Sequence, residues 1–382
     1  MPPDDLHHVG LAADRCAARR PVDPCRASDA SAAAARRAAD RQKLARLSQG
    51  NCPTHDGGHH MRSDPLAPLV DIIIPTYNRA HLIAGAIRAA LEQSWWNNRV
   101  TVIDDASTDA TEVAVRPFLS DARFNYIRLS GNLGTANAKN AGLLLTDGEA
   151  VTFHDSDDIP HRDKVLHQVR ALTAQDIGAD ECLNWRLAGK EAGQRLEVSA
   201  VLTHHELVLP DGRRVKIRRD ISLLDDVFPN LQMGARVPGE WTHINSGLFC
   251  TDVFRRLGGF EDCIEEDREF RNRLILNGEI IWIVPELLLT KIETPDSLTQ
   301  SAVSDYDSAR RKADRQLVWK KVEAWRQSGT VNPVPVDIPN LGVSFVSCPD
   351  LLLRRDIPTV PDTSAQVDSI LSSRSAAQVA AQ

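Results

Sequence analysis

No run of about eighteen apolar residues, the length needed to cross a bilayer, occurs in this chain of 382 residues. The opening Met1-Pro2-Pro3-Asp4-Asp5 has no basic segment followed by an apolar one, so a secretory signal is not expected. Basic residues are not in excess. The 45 Lys and Arg stand against 52 Asp and Glu, a net charge of −7, which argues against bulk nucleic-acid binding. The seven cysteines are scattered, odd in number and without a CxxC pair. That disfavours a disulfide framework or a zinc finger and fits a reducing, cytoplasmic setting. There is no GxGxxG after the first apolar strand, and no GxxxxGK[ST], GxSxG or HExxH anywhere. A dinucleotide fold, a P-loop, a serine hydrolase elbow and a zinc protease helix therefore have no support. No internal repeat is visible.

What is present divides the chain in three. Residues 1–65 are rich in Ala and Arg, as in Ala32-Ala33-Ala34-Ala35-Arg36-Arg37, with almost no large aliphatic side chain. Such a segment buries too little apolar surface to offset its ordering entropy and reads as a flexible extension. From Leu69 the texture becomes strand, helix, strand. Expected strands cover 69–74, 100–103, 124–129 and 150–153, and expected helices cover 81–93, 109–119 and 136–145. This alternation predicts an α/β protein with a mostly parallel, Rossmann-like sheet flanked by helices, whose ligands sit beyond the carboxyl ends of the strands. After 160 the regularity weakens. A helix is expected at 162–173, a hairpin at 197–217 around Pro210-Asp211-Gly212, helices at 251–257 and 265–277, a strand at 280–284 and a long helix at 306–327. The main domain is thus expected over 66–328, followed by a Pro- and Ser-rich tail over 329–382.

The chemistry lies in carboxylates at element ends. Asp155-Ser156-Asp157-Asp158 leaves the fourth strand. Two carboxylates separated by one residue can approach one hard cation, Mg²⁺ or Mn²⁺, though taken alone the pattern is more often a turn with helix-capping acids. Asp104-Asp105 ends the second strand, where a carboxylate can accept from a nucleobase or ribose, or simply shape a turn. Glu265-Glu266-Asp267 opens a helix, either to complement its dipole or to supply a general base. Gly258-Gly259 before it permits close backbone approach. Trp185 and Trp241 are core residues or platforms for sugar rings.

Taken in order, these pieces resemble the inverting glycosyltransferases of family 2, which have the GT-A fold. The similarity covers roughly 69–300. Val70-Asp71-Ile72-Ile73-Ile74-Pro75-Thr76-Tyr77-Asn78-Arg79 is similar to the family's first strand and nucleotide-contacting loop. Val102-Ile103-Asp104-Asp105-Ala106-Ser107-Thr108-Asp109 resembles its DDxSTD element, with Asp105 favoured slightly over Asp104 as the base contact. Asn132-Leu133-Gly134-Thr135-Ala136-Asn137-Ala138-Lys139-Asn140-Ala141-Gly142 resembles NxGxxxARNxG, with Lys139 in place of Arg, a cation implied near the diphosphate. Asp155, Ser156 and Asp157 match the metal and diphosphate motif. The resemblance implies metal ligation by Asp157, with Asp155 on ribose or metal-bound water. Asn245-Ser246-Gly247, Gly258-Gly259-Phe260 and Glu266-Asp267-Arg268-Glu269-Phe270-Arg271-Asn272-Arg273 resemble the acceptor-side block, implying Asp267 as catalytic base beside Glu266.

The resemblance implies a nucleotide-sugar-binding half over 66–160 and an acceptor half over 161–328, with a smaller mixed part of the fold on the acceptor side. It also implies a UDP-, GDP- or dTDP-sugar donor and a hydroxyl acceptor on a glycan, lipid-linked glycan or protein, as in surface polysaccharide synthesis. Peripheral association with the inner face of a membrane is compatible with such acceptors. Departures exist. No QxxRW and no membrane helices follow the acidic helix, unlike cellulose- or chitin-type synthases, and Lys291-Ile292-Glu293-Thr294-Pro295-Asp296-Ser297-Leu298-Thr299 carries no late His. Two other readings are a sugar-phosphate nucleotidyltransferase and a non-catalytic binding protein on the same fold. The first expects a Gly-rich basic loop after the first strand, which Pro75-Thr76-Tyr77-Asn78 is not. The second expects a missing acid, whereas Asp155, Asp157 and Asp267 are all present.

Overall fold

Strand β1 (Val70–Thr76) is buried along its whole length and pairs in parallel with β2 (Asn98–Asp104) on one side and β4 (Ala150–Phe153) on the other. The computed structural model describes residues 67–145, 147–173, 197–218, 227–229, 231–236, 240, 242–293, 307–336 and 342–347. All of these fall within the unit Arg62–Gln382. The Ala/Arg-rich extension 1–65, Trp185, Trp241, Thr294–Thr299 and the chain beyond 347 lie outside the described residues. β3 (Phe124–Leu129) pairs in parallel with β2. Beyond β4 the sheet becomes mixed, through β9 (Leu248–Cys250), β6 (Val198–Val208) and β10 (Ile280–Ile292), to the two-residue β5 (Ile159–Pro160). β7 (Arg214–Ile217) forms the expected hairpin with β6, and β8 (Gln232–Met233) pairs with β10. The sheet thus has a parallel part, β1 to β4, and a mixed part beyond it.

Side chains alternate across the strands, so each one supplies both faces. Ile73, Ile103 and Ile127 pack beneath α3 (Thr135–Leu145). Ile72, Ile74, Val100, Val102 and Tyr126 pack against α1 (Ile83–Leu91) and α4 (Lys164–Leu172). On the first face five phenylalanines join the halves. Phe153 of β4 meets Phe260 edge-on at 5.1 Å, and Phe254 of α5 (Thr251–Leu257) stacks on Phe270 of α6 (Glu266–Leu276) at 4.9 Å. Aromatic pairs of this kind exceed their area burial by about 0.5–1.5 kcal/mol each. They fix α6 against the sheet.

Four boundaries differ from expectation, each for a visible reason. β1 continues through Pro75 to Thr76 because β4 pairing stops at Ile73, so the missing proline N–H faces no partner strand. The helix expected at 109–119 shortens to α2 (Thr111–Val115) and a 3₁₀ turn (Arg116–Phe118) at Pro117. Its first N–H, that of Thr111, donates to Asp109 Oδ1 at 2.9 Å. β10 runs past Pro285 to Ile292, with the register shifting between Val284 and Leu287 so that the proline sits in a bulge. Finally, the domain does not end at 328. After α7 (Ala309–Ser328), β11 (Val343–Val346) pairs antiparallel with β3 and buries Val343 and Phe345, so part of the expected tail is sheet.

The chain near Val334 is also held. Gly259 N donates to Val334 O at 2.9 Å, and Val334 N donates to Leu257 O at 3.0 Å. Gly258 has φ +80°, and a Cβ there would stand 1.6 Å from Val334 O. Gly258→Ala is therefore expected to cost about 3–5 kcal/mol through clash and backbone strain. Gly329→Ala, at φ +66° with open space around it, is expected to cost only about 1–2 kcal/mol. Urea unfolding midpoints compare the two, and equal losses would contradict this account.

Candidate active site

A pocket of about 710 Å³ opens at the carboxyl ends of β1, β2 and β4 and is closed on its far side by the first turn of α6 and the end of β10. Of the residues singled out in the sequence, Pro75, Thr76, Tyr77, Asp105, Lys139, Asp155, Ser156, Asp157, Asn245, Glu266 and Asp267 line it. Asn78, Asp104, Gly258, Gly259 and Arg273 are not among its lining residues and build what surrounds it.

The two aspartates at the end of β2 divide the work. Asp104 is fully buried and accepts from the Tyr126 hydroxyl at 2.6 Å and from Ser107 N at 2.7 Å. Asp105 faces the pocket and accepts from the backbone N–H groups of Leu133 and Gly134 at 2.7 and 2.8 Å. Burial raises its pKa, with those two hydrogen bonds opposing. Beside it, the Thr76 hydroxyl is buried and has no hydrogen-bond partner. Asn78, in the left-handed region at φ 53°, accepts from Thr108 N at 2.8 Å and so braces the loop after β2.

The segment from Asn132 to Gly142 ties the two halves together. The Lys139 ammonium, 1% exposed, lies 3.0 Å from Glu266 Oε1 and 3.4 Å from Asn245 Oδ1. Burial works against its charge, but Glu266, Asp155 and Asp267 outweigh that and raise its pKa. The cation expected near a diphosphate is thus engaged by the neighbour of the expected base, and Glu266 is engaged with it. The next residue, Asn140, bonds both backbone groups of Phe260, at 2.7 and 2.8 Å. Gly259 passes so close to Asn140 that a Cβ would stand 2.2 Å from Asn140 Oδ1. Arg273, fully buried, donates to Gly259 O at 2.6 Å and to Glu269 at 2.6 Å. Gly258, Gly259 and Arg273 therefore set the loop before α6.

At the end of β4, Asp155 and Asp157 are partly exposed and Asp158 is buried. Lys291, near the end of β10, lies 3.6 Å from Asp155 Oδ2 and 3.4 Å from Asp158 Oδ2. Burial opposes the charge on Asp155, yet Lys291 and Lys139 hold its pKa below the ordinary value. Asp157 is raised by burial and by the Asp155 charge. Asp158 is raised to about 7 by burial, despite Lys291, with help from both neighbouring acids. Among the described residues no group of three or more His, Cys, Asp or Glu is arranged to cage a metal. Two open carboxylates of hard oxygen nevertheless fit an ion such as Mg²⁺ or Mn²⁺ that completes its shell with substrate phosphates.

Across the pocket, Asp267 stands on the first turn of α6, its Oδ1 accepting from Arg268 N at 2.7 Å. Its Oδ2 lies 3.6 Å from His243 Nε2. His243 Nδ1 accepts from Asn245 N at 3.2 Å, which leaves the ring proton on Nε2, toward Asp267. Burial, with Lys291 and His205 nearby, lowers the His243 pKa well below its ordinary value, so the ring is neutral. Sequence reading did not single out His243 or Lys291. His243 had a signal, two residues before the Asn245-Ser246-Gly247 segment. Lys291 had none, because Pro285 reads as a strand end.

A family model described as glycosyl transferase family 2 matches residues 71–194. An uncharacterized glycosyltransferase of Haemophilus influenzae is 31% identical over 172 residues, which span 43% of this chain and 68% of that one. The chain belongs to glycosyltransferase family 2. An Escherichia coli protein named UDP-Glc:alpha-D-GlcNAc-diphosphoundecaprenol beta-1,3-glucosyltransferase WfgD is 36% identical over 109 residues, 28% of this chain and 43% of its own length. Among solved structures, a mannosyltransferase from Pyrobaculum calidifontis, in complex with GDP-Man and Mn²⁺, has 21% identity and a TM-score of 0.45, covering 71% of this chain and 68% of that one. Among the described residues no helix is long and apolar enough to cross a membrane.

The buried Lys139–Glu266 pair predicts a double-mutant outcome. Lys139→Met leaves Glu266 buried without its cation and is expected to cost about 3–5 kcal/mol. Lys139→Met with Glu266→Gln is expected to recover at least about half of that loss, because no charge is left unpaired. Chemical denaturation of the four proteins measures the cycle. A double variant no more stable than Lys139→Met would contradict the pairing.

Proposed function

We propose that the protein is a metal-dependent, inverting glycosyltransferase that moves a sugar from a nucleotide-sugar donor to a hydroxyl acceptor. The observation that carries this reading is the placement of Asp267 across one pocket from Asp155 and Asp157. A volume of about 710 Å³ is in the range of pockets that enclose small ligands. The partnerless Thr76 hydroxyl beside Asp105 supports a nucleoside at the end of β1 and β2, because a buried polar group left unpaired is costly and a base or ribose would satisfy it.

In this reading the donor lies along the carboxyl edge of the sheet, with its nucleoside at Thr76 and Asp105 and its diphosphate toward Asp155 and Asp157. Asp157 and Asp155 would hold Mg²⁺ or Mn²⁺, which offsets negative charge on the departing diphosphate. The acceptor hydroxyl enters between Asn245 and Asp267. Asp267 takes its proton as the hydroxyl oxygen bonds to the anomeric carbon. The bond from that carbon to the diphosphate oxygen breaks with its electron pair, and the configuration inverts. The neutral His243, with its Nε2 proton toward Asp267, steadies the carboxylate in the orientation that receives the proton. The acceptor belongs to a surface glycan. The E. coli relative, whose name specifies a lipid-linked sugar acceptor, supports this.

Asp267→Asn is expected to lower turnover by about 10²–10⁴-fold, the usual worth of a general base, while the variant still binds the nucleoside diphosphate. Steady-state kinetics and calorimetric titration separate the two effects. Near wild-type turnover would overturn the assignment of the base.

A further inference from the structure

Lys291 is the unexpected member of this site. It reaches the acids because β10 continues past its Pro285 bulge and pairs Leu289 with Pro160 and Thr290 with Ile159, directly beyond the acidic turn. Its ammonium stands between Asp155 Oδ2 at 3.6 Å and Asp158 Oδ2 at 3.4 Å, on the pocket wall, with Asp157 close enough to contribute to its electrostatic environment. Asp155 and Asp157 are the carboxylates at which a divalent ion would bind, and Asp158 is the buried acid behind them. One ammonium among three acids leaves the cluster with less negative charge than its residue count implies. It also stands where it repels a second cation.

We infer that Lys291 is a resident cation that couples metal binding to donor binding: it holds the affinity of the empty carboxylates for a divalent ion low until the donor's diphosphate brings enough negative charge for both cations to stay. This rests on the glycosyl-transfer reading for the identity of the diphosphate, but the competition between ammonium and metal does not. Two consequences follow. The ion and the nucleoside diphosphate each raise the other's affinity, as linkage requires. The carboxylates, held by Lys291 in the absence of metal, are also already gathered when the donor arrives. A merely structural ion pair would gather the carboxylates too, but removing its ammonium would not tighten the binding of a divalent ion in the absence of nucleotide.

The experiment titrates Mn²⁺ into the full chain and reads the free ion by electron paramagnetic resonance, without nucleotide and with UDP or GDP. Wild type, Lys291→Met and Lys291→Arg are compared, with circular dichroism confirming that each is folded. Without nucleotide, Lys291→Met is expected to bind Mn²⁺ at least about tenfold more tightly than wild type, while Lys291→Arg stays close to wild type. Adding the nucleoside diphosphate is expected to tighten Mn²⁺ binding by wild type at least about tenfold, and by Lys291→Met much less. Should Lys291→Met not fold, Lys291→Gln removes the charge with less loss of polarity and is read in the same way. Equal Mn²⁺ affinities of the folded uncharged variant and wild type without nucleotide would overturn the inference. If no nucleoside diphosphate binds to wild type under any condition, the donor reading fails instead. The comparison without nucleotide stands apart from that result.

Discussion

The contact between Lys139 and Glu266 determines where the two sides of the pocket sit relative to each other. Lys139 is on α3, which packs on the parallel half of the sheet, and Glu266 opens α6, which packs on the mixed half. With the ammonium 1% exposed, neither charge can relax into water if the other moves. A buried pair of this kind contributes little net stability over an apolar replacement, but breaking one side is costly, so it acts as a register. The phenylalanine cluster behind it supplies the packing, and Asn140 bonding both ways to Phe260 supplies a second, uncharged tie. Asp267, one residue after Glu266, thereby faces the end of β4.

The site is thus made of residues with two different jobs. Thr76, Asp105, Asp155, Asp157 and Asp267 present polar groups to the pocket. Asn78, Asp104, Asn140, Gly258, Gly259 and Arg273 spend their hydrogen bonds or their lack of a side chain on holding the loops that carry the first group. Both kinds fall in the same short sequence motifs. A motif is therefore no guide, by itself, to which of its members meets a ligand. Asp105 lines the pocket, whereas Asp104 is enclosed with Tyr126 and Ser107.

Much of the fold could be read from residue order. The apolar runs at Val70, Val100, Phe124 and Ala150 became four parallel strands, and the turn at Pro210-Asp211-Gly212 became a hairpin. Local rules failed where tertiary pairing overrode them. Pro75 and Pro285 both read as strand ends, yet one faces a side with no partner and the other sits in a bulge. Val343–Val346 is short and follows a Pro-punctuated stretch, so only its pairing with β3 reveals it as a strand. The same limit hid part of the site. The acids were legible because they end predicted elements. Lys139 was legible as a residue but not in its partner, and Lys291 reached the site only through a strand whose length could not be foreseen.

The central claim is that the pocket holds a donor at the strand ends with a base on the opposite side of the reacting carbon. Its most direct test is the configuration of the product. With the nucleotide sugar from which the protein releases nucleoside diphosphate in the presence of acceptor, proton nuclear magnetic resonance reads the anomeric coupling of the newly formed linkage. The account predicts the configuration opposite to that of the donor. A linkage formed with the donor's own configuration would contradict it.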